Sequence, residues 1–319
     1  MADSCPIVEL PRYVRISIGD GWSGLALSSS YPTDSSENAI VAPSIEQWRE
    51  WLDLLVQDRR RLPGARVLKT SESVEVIETQ LPPRGDADKA VRVICKQTRL
   101  HGAWDAMVGF VRPSAARRNF ERAQALHKAG IGTALPLAYL ERRSSRASWL
   151  ITEFLDGVMD LDAYVLTILS RAGSAENRTR RDVVIRAVAG LFCGLERAGL
   201  YHRDMKASNI LLVHAGEQAR SPRACIVDLD GLAAFRAWRS AWKPIVRLAA
   251  SLLQYPAVTR TDYLRFLREY CSEIGQECCD WRTHLGRLRK QAARYAQAAQ
   301  KRKSNKLDGF TGDAVLRSA

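Results

Sequence analysis

The sequence predicts an α+β chain with a β-rich front and a helix-rich back. Short β-branched runs separated by turns occupy residues 65–96, and long amphipathic repeats dominate from residue 179 onward. The chain has 319 residues, 46% of them hydrophobic, which suffices for two domains or for one bilobal domain with extensions.

Residues 28–38 form the most loop-like stretch. Ser44 and Gln47 then stand at capping-box spacing, and Ile45, Trp48, Leu52 and Leu55 share one face of the helix that follows. Residues 1–62 therefore read as an N-terminal extension with a helix near 45–58. Three strands are expected at 67–69, 74–77 and 91–96, with a turn at 81–86. Ser114 caps a helix over 114–129 with a stripe of Ala116, Phe120 and Ala123, and Gly130 stops it. A loop around Pro136 leads to a strand at 149–152. An amphipathic helix over 179–198 turns Val184, Ala187, Val188, Leu191 and Leu195 inward and ends at Gly199. A short buried strand at 224–228 ends in an acid, and the remainder reads as mostly helical.

Composition narrows the function. No run of 18 apolar residues predicts a membrane-spanning helix. The first residues lack a basic region followed by an apolar stretch, so a secretory signal is not expected. Seven cysteines, odd in number and without a C-x-x-C pair, argue against a zinc or redox motif and for reduced cytosolic thiols. Cys95 and Cys225 lie in apolar runs and read as small core residues. The net charge of +13 suits nucleic acid, an anionic membrane surface or a phosphorylated substrate. No recognised nucleic-acid-binding motif accompanies it, so nucleic acid is not expected as a partner.

The chemistry concentrates in His202-Arg203-Asp204-Met205-Lys206-Ala207-Ser208-Asn209, which reads H-R-D-x-K-x-x-N and runs from a helix into an apolar strand. Phosphoryl transfer requires positioning and charge neutralisation more than covalent chemistry. Asp204 suits a base that accepts or orients the proton of an attacking hydroxyl. Lys206 suits the γ-phosphate oxygens, and the Asn209 amide oxygen suits Mg²⁺. His202 and Arg203 read as residues that tie the loop down. Asp228, 24 residues after Asp204, suits a second magnesium ligand, with Asp230 beside it.

Lys96 ends a predicted strand 108 residues before Asp204 and so resembles the strand lysine of the kinase signature, which pairs with the α- and β-phosphates of ATP. Ile94, on the same strand face, would cover the adenine. Glu121 is the only acid in the 114–129 helix and is the expected ion-pair partner of Lys96. Glu153 and Leu155 follow the fifth expected strand, where a kinase hinge would pass the adenine edge, so their backbone groups are the expected partners of the base. No G-x-G-x-x-G precedes Lys96, leaving the small polar residues of the 69–73 hairpin to offer N–H groups. No Ala-Pro-Glu follows Asp228. The segment 231–244 is short and carries Arg236, Trp238, Arg239, Trp242 and Lys243, which argues against a long peptide-binding activation segment.

These residues resemble the protein-kinase-like superfamily, with a bilobal fold of β-rich N-lobe and α-helical C-lobe. Within it the chain resembles the lipopolysaccharide kinase family, the Kdo and heptose kinases of the WaaP type. The resemblance spans roughly residues 65–270. It rests on the kinase motifs, on Leu126-His127-Lys128-Ala129-Gly130-Ile131-Gly132-Thr133, on Asp228-Leu229-Asp230, and on residues 247–253 and 262–270. It implies a kinase-like N-lobe over 63–153, a C-lobe over 154–282 and a basic C-terminal tail over 283–319. It also implies ATP- and Mg-dependent transfer to an inner-core sugar hydroxyl of a glycolipid, by a cytoplasmic protein peripheral to the inner membrane. A Ser/Thr protein kinase and a nucleotide-binding pseudokinase module are the alternatives. The tail stripe Leu285, Leu288, Ala292, Tyr295 and Ala299, set among cations, is expected to aid membrane association.

Overall fold

Alternation of inward and outward side chains builds the front half of the chain into one antiparallel sheet. The computed structural model describes residues 11–31, 40–84, 90–99, 112–142, 147–169, 174–213, 222–234, 242–275 and 281–316. Two compact units divide at Gly157 and Val158. The first holds β1 (Tyr13–Ile18), β2 (Trp22–Leu27), α1 (Ile45–Asp58), β3 (Arg66–Thr70), β4 (Val74–Leu81), β5 (Val91–Arg99), α2 (Ala115–Lys128), β6 (Pro136–Arg142) and β7 (Ala147–Glu153). Its seven strands run in the order β1-β2-β6-β7-β5-β4-β3.

The two faces of this sheet carry different helices. Val93, Cys95, Trp149 and Ile151 join Trp48, Leu52 and Leu55 of α1 in one core. Tyr139 and Leu150, which alternation turns the other way, pack on Ala116 and Phe120 of α2. The expected N-terminal extension is thus part of this unit, supplying two strands and a core helix. The Ser44–Gln47 capping box forms. Trp48 Nε1 donates to the Leu27 carbonyl and Trp51 Nε1 to the Gln80 carbonyl, each at 2.9 Å. Trp51 is buried, whereas Ile45, expected on that face, is exposed. The expected loop at Pro136 begins β6, a place that proline tolerates because it is the strand's first residue.

The second unit begins with β8 (Val158–Asp160), α3 (Leu161–Tyr164) and a π-helical turn, Val165–Leu169. It continues with α4 (Ser174–Arg197), β9 (Leu200–His202), β10 (Ile210–Val213), β11 (Arg223–Ile226), β12 (Leu232–Ala234), α5 (Trp242–Leu252), α6 (Arg260–Glu273) and α7 (Trp281–Leu316). The strands form two small antiparallel sheets, β11-β10-β8 and β12-β9. Phe192 of α4 meets Phe266 of α6 edge-on, with centroids 5.5 Å apart. Arg181 bridges α4 to α6 through Asp262, the residue that also completes a capping box with Thr259. Leu285, Leu288 and Ala292 of α7 are buried, so the expected tail begins inside a helix that packs on α5 and α6. Gly130 and Gly199 stop their helices with φ of 68° and 65°. Cys95 and Cys225 are fully buried and form no disulfide. No helix among the described residues is long and apolar enough to cross a membrane.

If α1 belongs to the sheet's core, Trp48→Ala should destabilise the first unit by about 3–5 kcal/mol. Denaturant unfolding monitored by tryptophan fluorescence and circular dichroism checks this; a midpoint equal to wild type would show α1 to be dispensable.

Candidate active site

Two strand ends and the turns that follow them build the site in the second unit. β10 pairs with β11 so that Ile210 faces Ile226. The pairing continues past the ladder, where Val227 N–H donates to the Asn209 carbonyl at 3.0 Å. Asn209 and the residue preceding Asp228 are therefore direct neighbours. Asn209 is buried, and its Nδ2 donates to the Asp204 carbonyl at 2.8 Å, which leaves the amide oxygen as its side-chain donor to a cation. Asn209 N–H also returns to the Lys206 carbonyl at 2.9 Å, closing a single 3₁₀ turn over Ala207–Asn209. Ala207 N–H donates to Ser251 Oγ of α5 at 3.0 Å, anchoring the loop from the other side.

Asp204 and Lys206 stand at the surface of this loop, with Nζ 3.3 Å from Oδ2. Asp228 lies two residues beyond β11, not at its end as expected. It adopts a left-handed conformation, φ 58° and ψ 57°, which among the described non-glycine residues only Asp20 shares. His202 explains how that conformation is held. Its ring is fully buried, and Nε2 lies 2.9 Å from the Asp228 carbonyl. A carbonyl only accepts, so Nε2 carries the proton. Gly231 closes over the same ring: a Cβ there would stand 2.4 Å from its Cε1 and Nε2. Arg203 N–H donates to the Gly231 carbonyl at 2.8 Å, and its guanidinium donates to the Asp230 carbonyl at 3.1 Å. His202 and Arg203 thus tie down the loop and the acidic turn together.

One group at this site had no signal in the sequence. Asp162 of α3 shares a hydrogen bond with Tyr255, and its Oδ1 is shielded from solvent without a hydrogen bond among the described residues. Burial raises its carboxyl above the ordinary range, opposed by the Tyr255 hydroxyl and by the nearby Lys206 charge. No motif flags this pair, because α3 and residue 255 meet only in the folded unit.

The first unit carries the remaining expected residues. β5 continues three residues past Lys96, which sits mid-strand between Val76 of β4 and Leu150 of β7. Ile94 and Lys96 share the face that bears α2. The expected Lys96–Glu121 ion pair is not formed. Glu121 is exposed and pairs with Arg117 one turn away, at 2.9 Å, because it lies off the stripe of Ala116, Phe120 and Ala123 that faces the sheet. Glu153 is committed to structure: its N–H donates to the Leu135 carbonyl at 2.9 Å, and its carboxylate accepts from Leu135 N–H at 2.8 Å. Leu155 is buried. In the 69–73 hairpin, Ser71 N–H is taken by the Val74 carbonyl at 2.8 Å. Arg236, Trp238 and Arg239 lie outside the described residues.

The buried imidazole makes a testable signature. Burial holds His202 below its ordinary range, with the Asp228 carbonyl opposing. The unfolded chain, with a histidine near 6.5, takes up its proton first as pH falls, so this group's stabilisation is complete above about pH 6.5 and is lost below it. Between about pH 7.5 and about pH 5.5, wild type should lose more unfolding free energy than His202→Gln. Identical losses in denaturant titrations would remove His202 as the cause.

Comparison with known proteins supplies the family. Residues 104–270, just over half of the chain, match the sequence model of the lipopolysaccharide kinase (Kdo/WaaP) family. Lys96 and Ile94 precede the matched segment. The lipopolysaccharide core heptose(I) kinase WaaP of Pseudomonas aeruginosa strain PAO1 is 32% identical over 164 residues, 49% of this chain and 59% of that protein. The chain thus aligns with little more than half the length of that relative. A solved structure of WaaP in complex with acyl carrier protein shares the fold, with a TM-score of 0.53 at 24% identity over 73% of this chain and 89% of that one. The matched segment includes Asp204, Lys206, Asn209 and Asp228, and this protein belongs to the lipopolysaccharide kinase (Kdo/WaaP) family.

Proposed function

We propose that the chain transfers the γ-phosphoryl group of ATP, with Mg²⁺, to a hydroxyl of a lipopolysaccharide inner-core sugar (Kdo or heptose) or a similar glycolipid. The observation that carries this reading is the loop in which Asn209 is bonded to the Asp204 backbone and hydrogen-bonded across to the residue before Asp228. Heptose is the acceptor named for the Pseudomonas relative.

The residues present fit the cation. An amide oxygen and a carboxylate are hard donors of the kind Mg²⁺ takes; the Asn209 side chain is tied to the Asp204 carbonyl, and the backbone of Asp228 is tied to His202. Bound Mg·ATP supplies the phosphoryl group, and its cation offsets the charge that develops on it. Asn209 and Asp228 would hold that cation. Asp204 orients the acceptor hydroxyl and takes its proton, and Lys206 neutralises the γ-phosphate oxygens. Lys96 pairs with the α- and β-phosphates, and Ile94 lies against the adenine. The Leu155 backbone meets the base edge, while Glu153 holds that segment through Leu135. Glu121 has no place in this scheme. An acceptor anchored in lipid would put the protein at the cytoplasmic face of the inner membrane.

Asp204→Asn keeps the shape of the loop and removes the base. It should lower transfer from radiolabelled ATP to purified lipopolysaccharide acceptor by about 10²–10⁴-fold while Mg·nucleotide binding persists. Label appearing in protein substrates and not in glycolipid would instead favour a protein kinase. Nucleotide binding without turnover on any acceptor would favour a pseudokinase. Mass spectrometry of core sugars from cells with and without the gene identifies the acceptor.

The partner seen with the solved relative, an acyl carrier protein, extends to this chain as part of the proposal. A cavity of about 80 Å³ in the second unit, lined by Leu161, Val165, Val188, Ile245, Phe266 and Leu288, is apolar but has room for only a few methylene groups, so it would have to widen to take an acyl chain. Acylated carrier protein should then co-elute with the chain in gel filtration and unacylated carrier should not; equal behaviour of the two would assign the cavity no role.

A further inference from the structure

α7 presents two faces of opposite character. Leu285, Leu288 and Ala292 are buried in the second unit. With 3.6 residues per turn, Arg287, Lys290, Arg294 and Lys301 fall within an arc of about 60°, centred about 160° from that buried face. All four are exposed, and none forms an ion pair among the described residues. They span a rise of about 21 Å. From Trp281 to Lys301 the sequence contains no acid at all. The apolar stripe expected to reach a membrane is not available for that purpose. Its first three members are in the core, and Tyr295 receives the Arg247 guanidinium 5.4 Å from its ring centroid.

We propose that the Arg287–Lys290–Arg294–Lys301 face of α7 docks the protein flat on an anionic phospholipid surface, by charge alone and without inserting apolar side chains. Four cations in one straight row match a plane of negative headgroups, each contributing independently. The side chains that flank this arc, Gln297 and Ala298, are polar or small, so nothing large and apolar is placed beside it to enter the bilayer. The row lacks the interleaved aromatic rings on which single-stranded nucleic acids stack. It also lacks the buried apolar centre that a protein interface needs. α7 lies outside the segment that matches the family model. The inference deepens the kinase reading, which explains why a membrane surface would be useful.

The test uses the full chain with vesicles and neither ATP nor sugar, so its failure and the failure of the kinase reading are separate. Wild type should sediment with phosphatidylcholine vesicles carrying about 30% phosphatidylglycerol and not with phosphatidylcholine alone. Raising salt from about 0.1 M to about 0.5 M should release it. Replacing Arg287, Lys290, Arg294 and Lys301 by Gln should lower the partition coefficient by roughly 100-fold or more, with helicity by circular dichroism unchanged. Arg287→Lys with Arg294→Lys should retain binding, which a merely misfolded helix would not. A second quadruple variant, with Arg60, Arg61, Arg84 and Arg112 changed to Gln, removes the same net charge from the other unit and should bind within about threefold of wild type. The proposal is overturned if wild type ignores the anionic vesicles, if the α7 variant binds as wild type does, or if both quadruple variants lose binding equally.

Discussion

A hydrogen bond inside the second unit sets the geometry on which the candidate metal site depends. His202 Nε2 donates to the Asp228 carbonyl from a fully buried ring. In isolation such a bond contributes only about 1 kcal/mol net, but leaving the buried partners unpaired costs more than that. It opposes the strain of a left-handed aspartate, which is of order 1–3 kcal/mol. The neighbouring tie, from Val227 N–H to the Asn209 carbonyl, fixes the other donor relative to the same turn. The Asn209 side chain and the Asp228 backbone are thus held before any ligand arrives, which lowers the ordering cost of binding. Gly231 is required by the same packing, since the imidazole occupies the space of a side chain.

The sheet unit solves a different problem. Lys96 lies on a strand with neighbours on both sides, which holds its backbone more firmly than a strand end would. α1 closes one face through Trp48 and Trp51, whose indole N–H groups bond strand carbonyls. α2 closes the other face through Phe120, which meets Tyr139 at a centroid distance of 5.0 Å and Tyr13 at 4.8 Å. The end of the unit is held by charge. Arg92 bonds Glu78 and Asp156 and lies 3.6 Å over the Phe154 ring. The Glu78 carboxyl is held below its ordinary range chiefly by its bond to Arg92.

Helix boundaries were readable from local chemistry. Ser44 with Gln47, Ser114, Gly130 and Gly199 each act within a few residues of themselves, and the folded chain uses them as the sequence implied. β2 and β6 were hard to read, because they pair with each other across more than a hundred residues of chain and carry Gly24 and Pro136. β1 alternates without Gly or Pro and pairs with the adjacent β2, so its signal was present in the sequence although no strand was expected there. At the site, the H-R-D-x-K-x-x-N spacing identified one compact loop because its bonds are local. The Glu121 assignment failed for an instructive reason: being the only acid in a helix says nothing about its angular position, and it directly follows Phe120, a member of the buried stripe. Asp162 and Tyr255 could not be found at all, since their contact is tertiary.

The pairing of β2 with β6, one strand in from the β1 edge of the sheet, joins Trp22 to Arg142. A ribosome adding roughly 5–20 residues per second needs about 6–24 s to travel between them. Throughout that interval the β1–β2 hairpin has one edge without its partner strand, and the ring of Trp22 awaits its core. Unit assembly is therefore tied to the order of translation, with the earliest strands docking among the last, and the half-made chain exposes a template for mispairing that the finished sheet hides.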